Sequence, residues 1–298
     1  MKKVKAVFGL IVFVSLLFNT TVASAAAVSK NKENQVNRWG GQLIESPMFE
    51  NDILLNSAGK KLSSYWNREM ANNTYSGAVS GEFLLNGLSS YRIELRKDDK
   101  IVNGSKRSEI AAVRPCEALA EKTYTFSTYL PDGGSEDYAY DPQGSEIIAQ
   151  WHNTPDPGED WTYPPLALHT GAYYTNDAGH YILESNWDPS PMSTDEQIDN
   201  NGTRARYDLG SYIEDKGKWV TWTFHIKWGW LESQNPILEV YKNGEKILDL
   251  NGLPNTMNDK VGTVMKLGVY KWDWAQSGSN NKSILSKRVV YYSNVSVE

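Results

Sequence analysis

A single cysteine among 298 residues excludes an intrachain disulfide framework, and no cysteine–histidine cluster has the spacing of a structural zinc site. Basic residues are outnumbered: 30 Lys and Arg face 36 Asp and Glu, for a net charge of −6 and a pI near 5.4. A protein that covers nucleic-acid phosphates needs a basic face, so no nucleic-acid partner is expected. Beyond residue 25 no apolar run approaches the ~20 residues that cross a bilayer, so no membrane association is expected either. Sustained helical periodicity is missing, as are internal repeats and any linker that would divide the chain. With 40% apolar and 22% charged residues the chain is nevertheless far from disordered composition, and a hydrophobic core has to hold it together.

What is abundant is aromatic. Seventeen Tyr and 11 Trp far exceed 7 Phe, the bias of grooves that stack flat rings on sugar faces. At the start, Lys2, Lys3 and Lys5 precede an apolar run from Ala6 to Phe18, and Ala23-Ser24-Ala25 supplies small residues for cleavage. Residues 1–25 therefore read as a secretory signal peptide, and a secreted, extracellular protein is expected. Its removal leaves 27 basic against 36 acidic residues, a net of −9. After a polar stretch from Ser29 to Gln35, residues 26–298 read as one domain of short alternating segments broken by turns. Strands are expected at Ser90–Arg96, Arg107–Val113, Thr123–Leu130, Ser145–His152, Leu166–His169, Trp219–Trp228, Ile237–Lys242, Val264–Trp272 and Val289–Val297. Asn243-Gly244 marks a two-residue hairpin, and Pro131–Gly144, Asn153–Pro165 and Asn186–Arg206 read as long loops. The fold class that follows is all-β, two antiparallel sheets packed face to face.

Alternation along a strand assigns side chains to faces. In Trp219–Trp228, Val220, Trp222, Phe224, Ile226 and Trp228 form one apolar face. In Ser145–His152, Ile147, Ala149 and Trp151 point inward, leaving Gln150 and His152 outside. In Val264–Trp272, Met265, Leu267 and Val269 oppose Lys266, Gly268, Tyr270 and Trp272, while Arg107 and Glu109 share a side of their strand. These polar sets suit β-elimination beside a uronic acid. Arg, Gln and Lys neutralise the sugar carboxylate, while His and Tyr take the C5 proton and protonate the departing O4. Free tyrosine titrates near 10, so a Tyr base has to sit among cations that favour its phenolate.

Arg107-Ser108-Glu109, Gln150-Trp151-His152 and Lys266-Leu267-Gly268-Val269-Tyr270 resemble, in order, the three signature strands of jelly-roll polysaccharide lyases. Tyr124-Thr125-Phe126-Ser127, Leu130-Pro131 and Gly217-Lys218-Trp219 look most like the heparin lyase I-like group, and the likeness covers roughly residues 85–298. The resemblance implies a concanavalin-like β-sandwich (jelly roll) with a concave substrate groove. It implies His152 and Tyr270 as the catalytic proton-transfer pair, with Arg107, Gln150 and Lys266 binding the uronate carboxylate or tuning the Tyr. Beside them, Glu109 and Trp272 are expected at the substrate, Glu109 by orienting Arg107 and Trp272 as a sugar platform. Ile110-Ala111, Trp151 and Lys271-Trp272 depart from the alginate-lyase pattern, which argues against alginate.

Trp161, Tyr163 and Trp274 are further candidate sugar platforms, whereas His169, His180 and His225 read as structural. A retaining hydrolase of the same fold needs two carboxylates about 5 Å apart, commonly supplied by Glu-x-Asp-x-x-Glu or a close variant on one strand; the nearest acidic stretch, Glu136-Asp137 with Asp141 and Glu146, is broken by Gly and Pro. A non-catalytic carbohydrate-binding sandwich would not need the His, Tyr, Arg and Lys set. The expected partner is an acidic polysaccharide, glucuronan-like or else heparin or heparan sulfate, cut by a monomer. The chemistry requires no cofactor and no catalytic metal; a structural calcium held by loop oxygens stays open.

Overall fold

The structure is a computed structural model that describes residues 65–133, 141, 144–171, 179–276 and 283–298. The expected signal peptide at residues 1–25, the polar stretch Ser29–Gln35 and Glu136-Asp137 lie outside the described residues.

Two seven-stranded antiparallel sheets make the fold, and they are not closed into a barrel. One sheet runs, edge to edge, through β1 (Trp66–Met70), β4 (Arg107–Ala112), β13 (Val261–Tyr270), β6 (Ser145–Thr154), β7 (Leu166–Gly171), β8 (His180–Asn186) and β9 (Arg204–Ser211). The other runs through β12 (Glu245–Asp249), β11 (Ile237–Lys242), β10 (Trp219–Lys227), β5 (Glu121–Tyr129), β14 (Lys287–Val297), β3 (Leu88–Arg96) and β2 (Gly77–Leu85). The expected jelly-roll sandwich is thus what the chain builds. Asn243 and Gly244, both at positive φ, turn β11 into β12 as the Asn-Gly signal predicts.

The inner faces meet in an aromatic core. Trp222, Phe224 and Ile226 of β10 are fully buried, as their alternation requires, and Phe224 packs on Phe126 and on Trp151 at ring-centroid distances of 5.9 and 4.6 Å. Met265, Leu267 and Val269 of β13 join the same core, which turns Lys266 and Tyr270 to the opposite face.

Several expectations need correcting. Along β6, Ile147 pairs with His169 but Ala149 pairs with Leu168, so Ile148 is one residue more than β7 can match. This bulge puts Ile148 into the core and turns Ile147 outward, reversing the inward assignment of Ile147. Trp272 is not on a strand; β13 ends at Tyr270, and Trp272 opens a short 3₁₀ turn over Trp272–Ala275. Trp274 is buried in the core and offers no sugar platform. The expected loop Asn186–Arg206 contains helix α1 (Asp195–Asn201), whose first turn is closed by the Thr194 hydroxyl accepting from the Gln197 amide at 3.1 Å and whose end is turned by Gly202 at φ 66°.

Candidate active site

The first sheet carries a cleft of about 780 Å³ on its outer face. Arg107, Gln150, His152, Lys266, Tyr270 and Trp272 all line it, together with Glu69, His169 and Glu184. The strand register explains why. Tyr270 lies opposite Arg107 across the β13–β4 ladder, and Lys266 lies opposite Gln150 across the β13–β6 ladder, so three sequence-distant segments meet within neighbouring strands. Gly268 makes this meeting close: at φ 149° it brings β13 so near β4 that a Cβ there would stand 2.2 Å from the Ser108 carbonyl oxygen.

Beneath the cations lies a buried carboxylate. Glu109 accepts from Gln150 Nε2 at 2.5 Å and from Arg107 Nη1 at 3.3 Å, and it does not line the cleft. Burial pushes its carboxyl up from the ordinary range against the pull of Arg107 and Lys266. Glu109 is therefore placed to orient Arg107 and Gln150 rather than to touch a sugar. The Arg107 guanidinium also lies 4.4 Å from the Tyr270 ring centroid, setting a positive charge beside the phenol.

His152 is kept neutral. Burial, then Lys266 and Arg107, lower its pKa to about 4. Its Nδ1 lies 3.3 Å from the Asn153 carbonyl oxygen, which can only accept, so a neutral ring hydrogen-bonded there carries its proton on Nδ1. A neutral imidazole with that tautomer is equipped to take a proton. Its ring meets Trp161 edge-on at 5.0 Å between centroids, and Trp161 is 66% exposed.

One wall of the cleft is formed by Trp161, Thr162, Tyr163 and Pro164, and α1 anchors it. The Tyr163 amide donates to Asp195 Oδ1 at 2.8 Å, Glu159 accepts from the Ser193 amide at 2.5 Å, and Arg204 stacks 3.6 Å over the Tyr163 ring while pairing with Asp199 at 2.9 Å. The opposite end holds residues the sequence did not single out for a site. His169, read as structural, is buried in the cleft wall with its ring 5.8 Å from Trp272, and burial lowers its pKa to about 4. Glu184, which takes Arg206 Nε at 2.8 Å, and Glu69 had no motif to announce them. Among the described residues, no group of three or more His, Cys, Asp or Glu side chains is arranged to hold a metal ion.

The sequence pattern of the polysaccharide lyase family matches residues 58–296. The chain belongs to the polysaccharide lyase family. Of the three readings weighed on the sequence, lyase, hydrolase and non-catalytic sandwich, the first holds: the protein is a carbon–oxygen lyase acting on polysaccharides. No curated protein matches the lyase. Among solved structures, it is similar to an endo-β-1,4-glucuronan lyase from the fungus Trichoderma reesei at 20% identity, with a TM-score of 0.54 over 78% of this chain and 94% of that one. It is also similar to the catalytic domain of a glycoside hydrolase family 131 protein from Coprinopsis cinerea at 12% identity, with a TM-score of 0.52 over 87% and 94%. A third is the alginate lyase AlyC3 at 15% identity, with a TM-score of 0.48 over 70% and 74%. Two chemistries thus occur on similar sandwiches, so the fold alone does not carry the lyase assignment, which rests on the family match.

Proposed function

We propose that this lyase is exported and cleaves a glucuronan-like polysaccharide by β-elimination, within the heparin lyase I-like branch of its family. The observation that carries this is the convergence of Arg107, Gln150, Lys266, His152 and Tyr270 in one cleft on one sheet. Arg107, Gln150 and Lys266 receive the uronate carboxylate, which acidifies the C5 proton by drawing charge toward the cations. A base removes that proton, its electron pair forms the C4–C5 double bond, the C4–O4 bond breaks, and O4 leaves with a proton from Tyr270. On a glucuronate linkage the C5 proton and O4 depart from one side, so Tyr270 serves both steps and His152 assists from the neighbouring strand. Trp161 and Trp272 offer faces on which flanking sugars stack.

The charge of the cleft supports an unsulfated substrate. Arg107 and Lys266 are answered by Glu69 and Glu109, while Glu184 and Asp195 line the remaining floor and wall. That leaves little free positive charge to meet a sulfate on each sugar. The chemistry takes no cofactor, because Arg107 and Lys266 already supply the charge that stabilises the carbanion.

The test is to incubate the lyase with unsulfated glucuronan, alginate and heparin while following the ultraviolet absorbance of the unsaturated uronate. Glucuronan turned over fastest is the expected result. Heparin as the sole substrate contradicts the charge argument, and reducing ends formed without that absorbance contradict elimination.

A further inference from the structure

Glu69 stands where a guest carboxylate would have to go. Its Oε2 accepts from Lys266 Nζ at 3.0 Å and from Arg107 Nη1 at 3.2 Å, so one oxygen bridges the two cations of the cleft. The side chain is 18% exposed and lines the cleft, whereas Glu109, 1% exposed, holds Arg107 from behind. Arg107 is thus flanked by two carboxylates, one inside the protein and one facing the substrate. Only the inner one is inaccessible to exchange. Burial alone would raise the Glu69 carboxyl, but Lys266, Arg107 and a hydrogen bond with Asn103 together hold it below the usual range, so it is ionised when the cleft is empty.

We propose that Glu69 is a displaceable self-ligand: it occupies the uronate carboxylate position in the resting enzyme, and substrate binds by exchanging one carboxylate for another on Arg107 and Lys266. The inference rests on the uronan reading above and specifies how that site chooses its guest. With Glu69 in place, one carboxylate already answers both Arg107 and Lys266 on the cleft side, and a further anion entering without exchange would meet that negative charge. A neutral sugar cannot displace Glu69, because it offers the cations no charge. A uronate can, since it brings the same group that it removes. The cost is affinity, and the gain is release: after elimination the product still carries a carboxylate on Arg107 and Lys266, and the returning Glu69 competes it away.

Steady-state kinetics of Glu69→Gln and Glu69→Ala on unsulfated glucuronan, with free glucuronate as competing ligand, test this directly. Both substitutions leave the cations to the guest. The expected result is a KM lower by about three- to tenfold, and glucuronate inhibition tighter by a similar factor, tenfold being about 1.4 kcal/mol. Glu69→Asp, whose shorter arm weakens the bridge, should move both quantities the same way by less. A KM that rises or stays put would overturn the proposal and make Glu69 a positioning residue for Arg107 and Lys266. So would a KM that falls without any change in glucuronate inhibition. Variants that no longer fold, followed by Tm, would also overturn it, since a group displaced in each turnover cannot be what holds the site together. Wild-type inactivity on every uronan is a different failure: it strikes the uronan reading first, and the exchange falls with it.

Discussion

In the proposed elimination, His152 and Tyr270 divide the proton transfers according to the sugar presented to them. Burial, Lys266 and Arg107 lower the His152 pKa to about 4, so the ring is neutral and able to take a proton. Whether it is needed depends on stereochemistry. On glucuronate linkages one group on one side suffices, and His152→Ala should keep measurable turnover, lowered by weaker carboxylate binding. On iduronate or guluronate linkages the proton and O4 leave from opposite sides, and the same variant should lose turnover by about 10²-fold or more. Parallel assays of His152→Ala on matched polymers of the two C5 configurations check this. Equal loss on both would make His152 the essential base and end the single-Tyr account.

Of the three signature strands, β13 was legible from its alternating Met265, Leu267 and Val269, and all three end in the structure within a few residues of their expected limits. Their shared face was legible for the same reason: Lys266 and Tyr270 of β13 oppose Met265, Leu267 and Val269, which the core claims. Other parts had no such signal. The bulge at Ile148 answers to a mismatch with β7, a property of two strands together, and so Ile147 was assigned to the wrong side. Strand β1, Trp-Asn-Arg-Glu-Met, has apolar residues only at its ends, which hid the strand that brings Glu69 to the cleft. Helix α1 was hidden among loop-forming residues, although Thr194 with Gln197 three positions on, Asp195 and Glu196 in the first turn and Gly202 at the end spell a capped helix. Gly268 makes a prediction at this scale. Gly268→Ala places a methyl against the Ser108 carbonyl at a φ that side chains avoid, so β13 must move from β4. A loss of about 1–3 kcal/mol is expected, the usual scale for overpacking, together with lost turnover as Tyr270 and Arg107 separate. Thermal unfolding and kinetics of the variant check it; wild-type values for both would show that the close approach does not matter.

At the scale of the molecule, the sandwich separates holding from reacting. The buried faces of both sheets meet in rings such as Trp151, Phe126 and Phe224, and the outer face of one sheet is left free for chemistry. A substitution confined to that outer face can then change turnover without changing the fold. Tyr270→Phe is the cleanest such change, because it keeps the ring under Arg107 and removes only the hydroxyl. The decisive measurement is turnover of Tyr270→Phe beside the wild type on unsulfated glucuronan, followed by the absorbance of the unsaturated product, with Tm recorded for both. The account predicts a Tm within a degree or two of the wild type and a turnover lower by about 10²-fold or more. Wild-type-like turnover by a folded Tyr270→Phe would contradict it, and would remove Tyr270 from the reaction.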